Sequence, residues 1–176
     1  AHDWIFTKLK EFGIDDVHYD KFPPYESIWF PSANSLDVVD APGFADGQTF
    51  AVEGAITPFP SKNTTAGGAR AELVYVGDGT PAELAGRDLT GKIVMVRGRA
   101  ESSALFSSVR IAYSRIATGE WGTPAGFIVW WQLPGVEQVA GRIGAPGGGD
   151  QLGEVVPWIS VSDENGYYLR KLLDRA

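Results

Sequence analysis

The chain has 176 residues, of which 44% are hydrophobic and 12% aromatic, and its formal net charge is −7. This apolar content is enough for a packed core, so composition excludes a disordered chain, and the length fits one domain or one domain with part of a second. The negative charge argues against binding to nucleic acid or to an anionic membrane, since no run of Lys and Arg is longer than Arg170–Lys171. Cys is absent, which excludes disulfides, thiolate zinc sites and a Cys nucleophile.

The 22 Gly and 11 Pro residues form no collagen-like repeat, so they indicate many turns between short strands and a β-rich fold. The longest apolar run, Gly126–Trp131, is much too short to span a membrane. The opening residues Ala1–Trp4 do not resemble the basic and then apolar start of a signal peptide. We therefore expect a soluble chain that has been trimmed at its start.

The first predicted element is an amphipathic helix over Asp3–Phe12, followed by a strand over Val17–Asp20. Asp3 is placed to cap this helix, and Gly13 is placed to end it.

Further strands are predicted wherever short runs rich in Val, Ile and aromatic residues stand between turn signals. They are Ser35–Val39, Phe50–Ile56, Glu72–Val76, Lys92–Val96, Phe127–Trp131 and Val155–Val161. Phe127–Trp131 is apolar throughout, which predicts a central strand covered on both faces.

Three more helices are predicted from capping signals and helical spacing. Thr80–Leu84 has the residues of a capping box with Pro at the first helical position, and is expected to be a short connector. Ser102–Thr118 carries apolar residues at helical spacing and is followed by Gly119. Ser162 or Asp163 is expected to cap a last amphipathic helix.

Residues for catalysis or metal binding are sparse. There is no Gly-x-Ser-x-Gly motif, and the two histidines, His2 and His18, both lie near the start of the chain, which argues against a Ser-His-Asp triad. His18-Tyr19-Asp20 would place two metal-ligating side chains on one side of a strand. Because no second His cluster exists to complete a site, the polar edge of a half-buried strand is the favoured interpretation.

A calcium site made of oxygen ligands remains an alternative, because four aspartates lie in or beside predicted loops. They are Asp78, Asp88, Asp150 and Asp163. Their spacing does not fit an EF-hand, so solvated turn residues are the favoured interpretation.

The tryptophans suggest a surface for stacking sugars or peptides, since flat apolar rings suit both ligands. Trp130 and Trp131 must point to opposite faces of a strand, so at least one is expected in the core. Arg70 lies in a loop, and its guanidinium group can bind a peptide carboxylate through two hydrogen bonds. The candidate substrate- or partner-binding residues are Arg70, Trp121 and Trp131.

Three ordered segments resemble the protease-associated domain. They are Ala71–Thr80, Leu89–Gly98 with its GKIVMVRG sequence, and Val156–Ser162, which leads into a helix opening at Asp163. The likeness covers Phe50–Leu173. It implies an α+β, β-rich fold of the swivelling β/β/α type, in which the strands form a small open barrel or sandwich with flanking helices.

The segment Trp4–Phe22 is similar to the start of secreted zinc-dependent exopeptidases of the aminopeptidase and glutamate-carboxypeptidase type, in which a protease-associated domain is inserted early in the catalytic domain. This implies that residues 1–45 begin a catalytic domain and that residues 46–176 form the protease-associated domain. The zinc ligands of that family follow the inserted domain, and His18-Tyr19-Asp20 comes too early to be among them. The resemblance therefore implies no catalytic residue, metal site or cofactor in this chain, with zinc held by the parent catalytic domain.

The expected function is that of a non-catalytic accessory domain, which shapes substrate access and contacts a peptide or protein substrate and the parent catalytic domain outside the cytoplasm. A free-standing peptide- or polysaccharide-binding module that uses the region Trp121–Trp131 is the alternative, and an autonomous hydrolase is a third hypothesis. The parent reading frame separates the first two, since only an accessory domain requires flanking catalytic sequence.

Overall fold

A computed structural model describes residues 2–19, 33–57, 61–99, 107–132 and 156–176. The chain divides into two compact units, Ala1–Phe30 and Pro31–Ala176, and each is described by itself. The expected boundary between residues 45 and 46 stays a prediction.

The first unit contains helix α1, His2–Glu11, which ends as its sequence predicts. Gly13 has a φ of +81°, in the left-handed region that glycine adopts without strain. The N–H of Gly13 donates to the carbonyl of Lys10 at 3.0 Å, and the N–H of Ile14 donates to that of Leu9 at 3.1 Å. These are the two hydrogen bonds of a Schellman motif, so the predicted role of Gly13 is confirmed.

Two other expectations for this unit are wrong. Asp3 lies inside α1 rather than before it, and its carboxylate accepts a hydrogen bond of 2.9 Å from the Tyr19 hydroxyl. The residues from Asp16 to Tyr19 do not form a strand, while Asp20 lies outside the described residues. The Tyr19 ring stacks on Phe6 with a centroid separation of 4.7 Å, so this segment folds back on the helix rather than pairing in a sheet.

The second unit contains six strands and three helices among its described residues. The strands are β1 Asp37–Val39, β2 Thr49–Ala51, β3 Leu73–Tyr75, β4 Ile93–Arg99, β5 Gly126–Gln132 and β6 Trp158–Val161. The helices are α2 Pro81–Leu84, α3 Ser107–Ala117 and α4 Asp163–Leu173. A strand lies at each segment predicted for this unit, and β4 and β5 are longer than predicted whereas the other four are shorter. Of the predicted strand Phe50–Ile56, only Phe50 and Ala51 belong to β2.

The strands form two sheets of opposite kind. β1 and β2 pair antiparallel, whereas β3, β4, β5 and β6 form a parallel sheet in that order. Parallel neighbours need crossover connections, which place helices over the faces of a sheet. α3 packs against β4, and α4 packs against β3 and β5.

Strand alternation divides the core between two faces. On the face toward α3, called the α3 face, lie Val94, Val96, Phe127, Val129 and Trp131 with helix residues such as Ile116. On the opposite face, called the α4 face, lie Met95, Ile128, Trp130, Val161 and Leu169. All of β5 up to Trp131 is buried, which confirms the predicted central strand.

The described fold mixes helices and sheets, which agrees with the expected α+β class. Its helices hold more residues than its strands, so the described part is less dominated by strands than the Gly and Pro content indicates. Closure of the strands into a barrel or sandwich stays a prediction. Among the helices that the structure describes, none has the length and apolar character needed to span a membrane.

Helix caps follow the sequence closely. The Thr80 side chain accepts from the N–H of Glu83, and the Glu83 carboxylate accepts from the N–H of Thr80, which confirms the capping box of α2. Ser162, rather than Asp163, caps α4 by accepting from the N–H of Asn165 at 3.3 Å. The predicted third helix is described from Ser107 onward, and its expected first residues lie outside the described part.

Gly98 on β4 leaves room for the ring of Trp131, which extends from β5 into the space between the sheet and α3. A Cβ at Gly98 would lie 2.5 Å from Cε3 of Trp131 and 3.0 Å from a methyl group of Val109. Trp131 is 1% exposed, so its ring has little room to move away.

We expect Gly98→Ala to lower the free energy of unfolding by about 1–3 kcal/mol, because the added methyl overpacks the α3 face. The matched control is Gly126→Ala on the neighbouring strand, where a Cβ would lie 3.6 Å from the Pro157 carbonyl oxygen, an ordinary contact. Losing a glycine there should leave stability unchanged or raise it by about 0.5–1 kcal/mol. Urea denaturation of both variants measures the difference, and equal stabilities would contradict the packing described for Trp131.

Candidate functional site

A ligand-binding site is expected at the carboxyl ends of the parallel strands, because ligands of parallel α/β sheets commonly bind there. β3 ends at Tyr75 and β4 ends at Arg99 on the same edge of the sheet. Arg97 and Arg99 are two residues apart on β4, so both point to the α4 face, as Met95 does.

Arg97 forms a bidentate ion pair with Asp78. Its Nε lies 2.8 Å from Oδ1 of Asp78, and its Nη2 lies 3.0 Å from Oδ2. Nη2 of Arg99 lies 3.2 Å from the same Oδ2. Hydrogen bonds from Arg97 hold the pKa of the Asp78 carboxyl below its ordinary value, so this carboxylate is charged at neutral pH.

The turn after β3 places Asp78 opposite Arg97. Gly77 and Gly79, on either side of Asp78, have φ values of +61° and +66°, which favour glycine. The Gly77 carbonyl accepts from the backbone N–H of Arg97 at 2.8 Å, and the N–H of Asp78 donates to the Glu83 carboxylate at 3.2 Å. The capping box of α2 therefore also fixes the backbone that carries Asp78.

Tyr75 and Arg170 continue this edge toward α4. Cζ of Arg170 lies 5.0 Å from the centre of the Tyr75 ring, a cation–π distance, and the centre of the Trp130 ring lies 5.9 Å from that of Tyr75. Burial raises the pKa of the Tyr75 hydroxyl, on which Arg97, Asp78 and Arg170 also act electrostatically. Its hydroxyl is therefore protonated at neutral pH and able to donate a hydrogen bond.

We call this cluster the arginine edge; it consists of Tyr75, Asp78, Arg97, Arg99 and Arg170. It contains three guanidinium groups and one carboxylate, and Arg170 has a further exposed ion pair of 2.7 Å with Asp174. Arg99 and Arg170 expose 43% and 40% of their side chains, whereas Arg97 exposes 24%. Each of the three guanidinium groups already has a carboxylate partner, Asp78 or Asp174, and the Glu83 carboxylate also acts electrostatically on Arg97.

The structure does not bring the predicted binding residues together. Arg70 is exposed and forms an ion pair with Asp40. Trp121 is half-buried against the core of the α3 face, and its carbonyl accepts from the N–H of Leu89 at 2.7 Å. Trp131 is buried in the same cluster, so the expectation that its ring stacks on a ligand is corrected: the ring packs beside Gly98.

The His18-Tyr19-Asp20 motif is described only in part. His18 is exposed, with Nδ1 at 3.3 Å from Oδ1 of Asp16, and Asp20 lies outside the described residues. Across the part of the chain that the structure describes, no group of three or more His, Cys, Asp and Glu side chains is placed to hold a metal ion.

Three of the four loop aspartates considered as calcium ligands have partners within the protein. Asp78 pairs with Arg97, Asp88 accepts from the N–H of Thr90 at 2.9 Å, and Asp163 accepts from the indole N–H of Trp130 at 2.9 Å. Asp150 lies outside the described residues. These three carboxylates therefore bind separate partners, in a turn, in an ion pair and at the start of α4, and do not share one site.

Sequence reasoning missed Tyr75, Arg97, Arg99 and Arg170 as site residues. One signal was present, because two arginines at i and i+2 after an apolar run place both cations on one side of the end of a strand. Arg170 had no such signal, since its position depends on how α4 packs on the sheet.

No family model and no curated protein matches the chain. Among solved structures, the chain is similar to the aminopeptidase from Aneurinibacillus sp. strain AM-1, with 32% identity over 59% of this chain and a TM-score of 0.38. The match spans 21% of that aminopeptidase, about one fifth of its length.

The Asp78–Arg97 pair should make stability depend on pH. We expect Asp78→Asn to lower the free energy of unfolding at neutral pH by about 1–2 kcal/mol, because it weakens charge-assisted hydrogen bonds. The folded-state pKa of Asp78 lies below its ordinary value of 3.8, so the stabilisation is present above that value and is lost as the pH falls through the folded-state pKa. The gap between wild type and variant should therefore shrink below a pH of about 4.

Chemical denaturation across this pH range measures the gap. Asp46→Asn, at an exposed turn position, is the control for losing one negative charge. A gap for Asp78→Asn that is the same in acid and at neutral pH would contradict the role assigned to the ion pair.

Proposed function

We propose that this chain is a non-catalytic accessory domain of a zinc exopeptidase, where it shapes access to the active site and contacts the peptide substrate. The observation that carries the proposal is the placement of the segments that resemble a protease-associated domain. Ala71–Thr80 and Leu89–Gly98 supply the adjacent parallel strands β3 and β4, whose ends form the arginine edge. Within these segments, β3 is followed by Asp78 and β4 carries Arg97 near its end, polar groups at the edge of the sheet that can contact a peptide.

In this proposal the zinc and its ligands belong to the parent catalytic domain, and the protein acts outside the cytoplasm. The chain contributes a rigid sheet with cations at one edge. Recognition by loops and strand ends on a rigid scaffold is a common arrangement in binding domains.

The second candidate is a free-standing binding module, and the arginine edge favours a peptide over a polysaccharide as its ligand. Guanidinium groups match the carboxylates of peptides, whereas neutral sugars are bound chiefly by stacking on exposed aromatic rings. Trp130, Trp131 and Trp158 are all buried, so these three rings do not supply a stacking surface.

Expression of the whole reading frame that encodes this chain tests the proposal. We expect the whole protein to cleave aminoacyl and peptidyl reporter substrates, to lose this activity with a chelator and to regain it with zinc. The 176-residue chain, dialysed against zinc and assayed in parallel, should show no turnover and no stoichiometric zinc.

Two results would contradict the proposal. Chelator-sensitive turnover by the chain alone would make it an enzyme in its own right. A reading frame that encodes no peptidase domain would leave the free-standing module.

A further inference from the structure

We propose that Asp46 is a site of spontaneous covalent modification, at which its side-chain carboxyl reacts with the backbone N–H of Gly47 and the residue becomes isoaspartate. The chain has three places where Asp or Asn precedes Gly, and glycine favours this reaction because it has no side chain to hinder the attacking nitrogen. They are Asp46–Gly47, Asp78–Gly79 and Asn165–Gly166. The reaction needs no enzyme and is independent of the proposed function.

The reaction requires no oxidant and no reactant other than water. The nitrogen of Gly47 attacks Cγ of Asp46 and loses its proton, the C–OH bond of the carboxyl group breaks, and one water molecule leaves as a five-membered succinimide forms. Water then opens this ring at either carbonyl carbon. Attack at Cγ restores aspartate, whereas attack at the backbone carbonyl carbon leaves the chain connected through Cγ, which is isoaspartate.

The turn that carries Asp46 leaves both reacting groups accessible. Two hydrogen bonds of 2.9 Å close it, from the N–H of Gln48 to the Ala45 carbonyl and from the N–H of Ala45 to Oε1 of Gln48. Across the part of the chain that the structure describes, neither the Asp46 carboxylate nor the Gly47 N–H has a hydrogen bond or ion pair. Both residues are exposed, and a Cβ at Gly47 would meet nothing within 4 Å. Local opening of an exposed turn, which costs little free energy, is therefore enough to reach the reactive geometry.

The Asp78–Gly79 pair is held at both reacting groups. The N–H of Gly79 donates to the Val76 carbonyl at 3.0 Å, and the Asp78 carboxylate forms its bidentate ion pair with Arg97. A Cβ at Gly79 would lie 2.6 Å from the Cβ of Ala112, so this glycine is packed against α3. A succinimide could form here only if the ion pair broke and the turn moved away from the helix.

The Asn165–Gly166 pair would react fastest if sequence alone decided, because an amide loses ammonia more readily than a carboxylate loses water. The structure holds this pair in the first turn of α4. The N–H of Gly166 donates to the Ser162 carbonyl at 2.9 Å, and the Asn165 amide donates to the Glu53 carbonyl at 2.9 Å. A Cβ at Gly166 would collide with the Trp130 ring, so a succinimide requires this end of α4 to unfold and leave the sheet.

Isoaspartate at Asp46 would alter the pairing of β1 with β2. Its backbone contains one more carbon atom than that of aspartate, and β2 begins at Thr49, where the register pairs Val39 with Thr49. We expect the modification to weaken this pairing and the contact between Phe50 and Tyr168, whose ring centres are 4.7 Å apart.

Prolonged incubation of the whole 176-residue chain in neutral buffer tests the proposal, with a parallel sample in concentrated urea. Digestion and mass spectrometry assign each modification to a residue, and labelling by a protein isoaspartate methyltransferase measures its amount. In the folded chain we expect isoaspartate at Asp46 and none at Asp78 or Asn165. In urea we expect Asn165 to react first, at least about a hundredfold faster than in the folded chain, because folded α4 must open before its first turn can react. The folded chain should modify Asp46 within about tenfold of the rate in urea, since the turn opens at little cost.

Two variants at the same position serve as controls. Asp46→Glu keeps the charge and should abolish the modification, because its longer side chain would have to form a six-membered ring. Asp46→Asn should lose its amide in the folded chain faster than Asp46 isomerises, so its use as a stability control requires freshly purified protein. After long incubation, the wild type should show a lower urea midpoint than Asp46→Glu, and equal midpoints would contradict the effect assigned to the pairing of β1 and β2.

Two results would overturn the proposal. One is modification of Asp78 or Asn165 ahead of Asp46 in the folded chain. The other is a folded chain without isoaspartate at Asp46 over a period in which the urea sample forms it. Both comparisons use the wild type, so they remain decisive if a variant fails to fold. The proposed function fails separately, in the assay of the whole reading frame.

Discussion

The packing of Trp130 against Gly166 decides where α4 lies on the sheet. A side chain at Gly166 would collide with the Trp130 ring, so glycine at this position lets the helix backbone approach β5 directly. The indole N–H of Trp130 then donates to Asp163 in the first turn of α4, at 2.9 Å. Contact and hydrogen bond together fix the height and the rotation of the helix, and so bring Arg170 over the ring of Tyr75.

The opposite face of β5 is organised by an equivalent contact. Trp131 points toward α3 and packs where Gly98 leaves room on β4. Two neighbouring tryptophans thus set the spacing of both layers, since adjacent residues of a strand point to opposite faces. A parallel sheet needs such cover on both sides, because its crossover connections leave neither face to solvent.

The arginine edge depends on this packing of α3 and α4 on the sheet, and also on the conformation of the turn that carries Asp78. The positive φ values at Gly77 and Gly79 turn the chain so that Asp78 faces Arg97, and the capping box of α2 holds that turn. The ion pair is half-buried, so its charges are less screened than those of exposed pairs while their desolvation cost is moderate. The result is an edge at which Asp78 fixes Arg97 and the other two arginines are half-exposed.

The sequence by itself determined the local structure of this protein. Helix ends at Gly13 and Ser162, the capping box at Thr80 and the buried strand around Val129 all follow from contacts within a few residues or from strand and helix periodicity. The resemblance to a protease-associated domain also depends on contiguous segments. These features need no knowledge of how distant parts of the chain meet.

Only the tertiary structure decided the order of the parallel strands, the burial of Trp131 and the composition of the arginine edge. Tyr75, Arg97 and Arg170 are far apart in the chain and meet because strand register and helix packing bring them together. The strand expected over Val17–Asp20 failed for the same reason, since alternation of residues cannot show whether a partner strand is present. Residue type marks a side chain as able to bind, but its burial and its neighbours, which are properties of the packed fold, decide whether it is available.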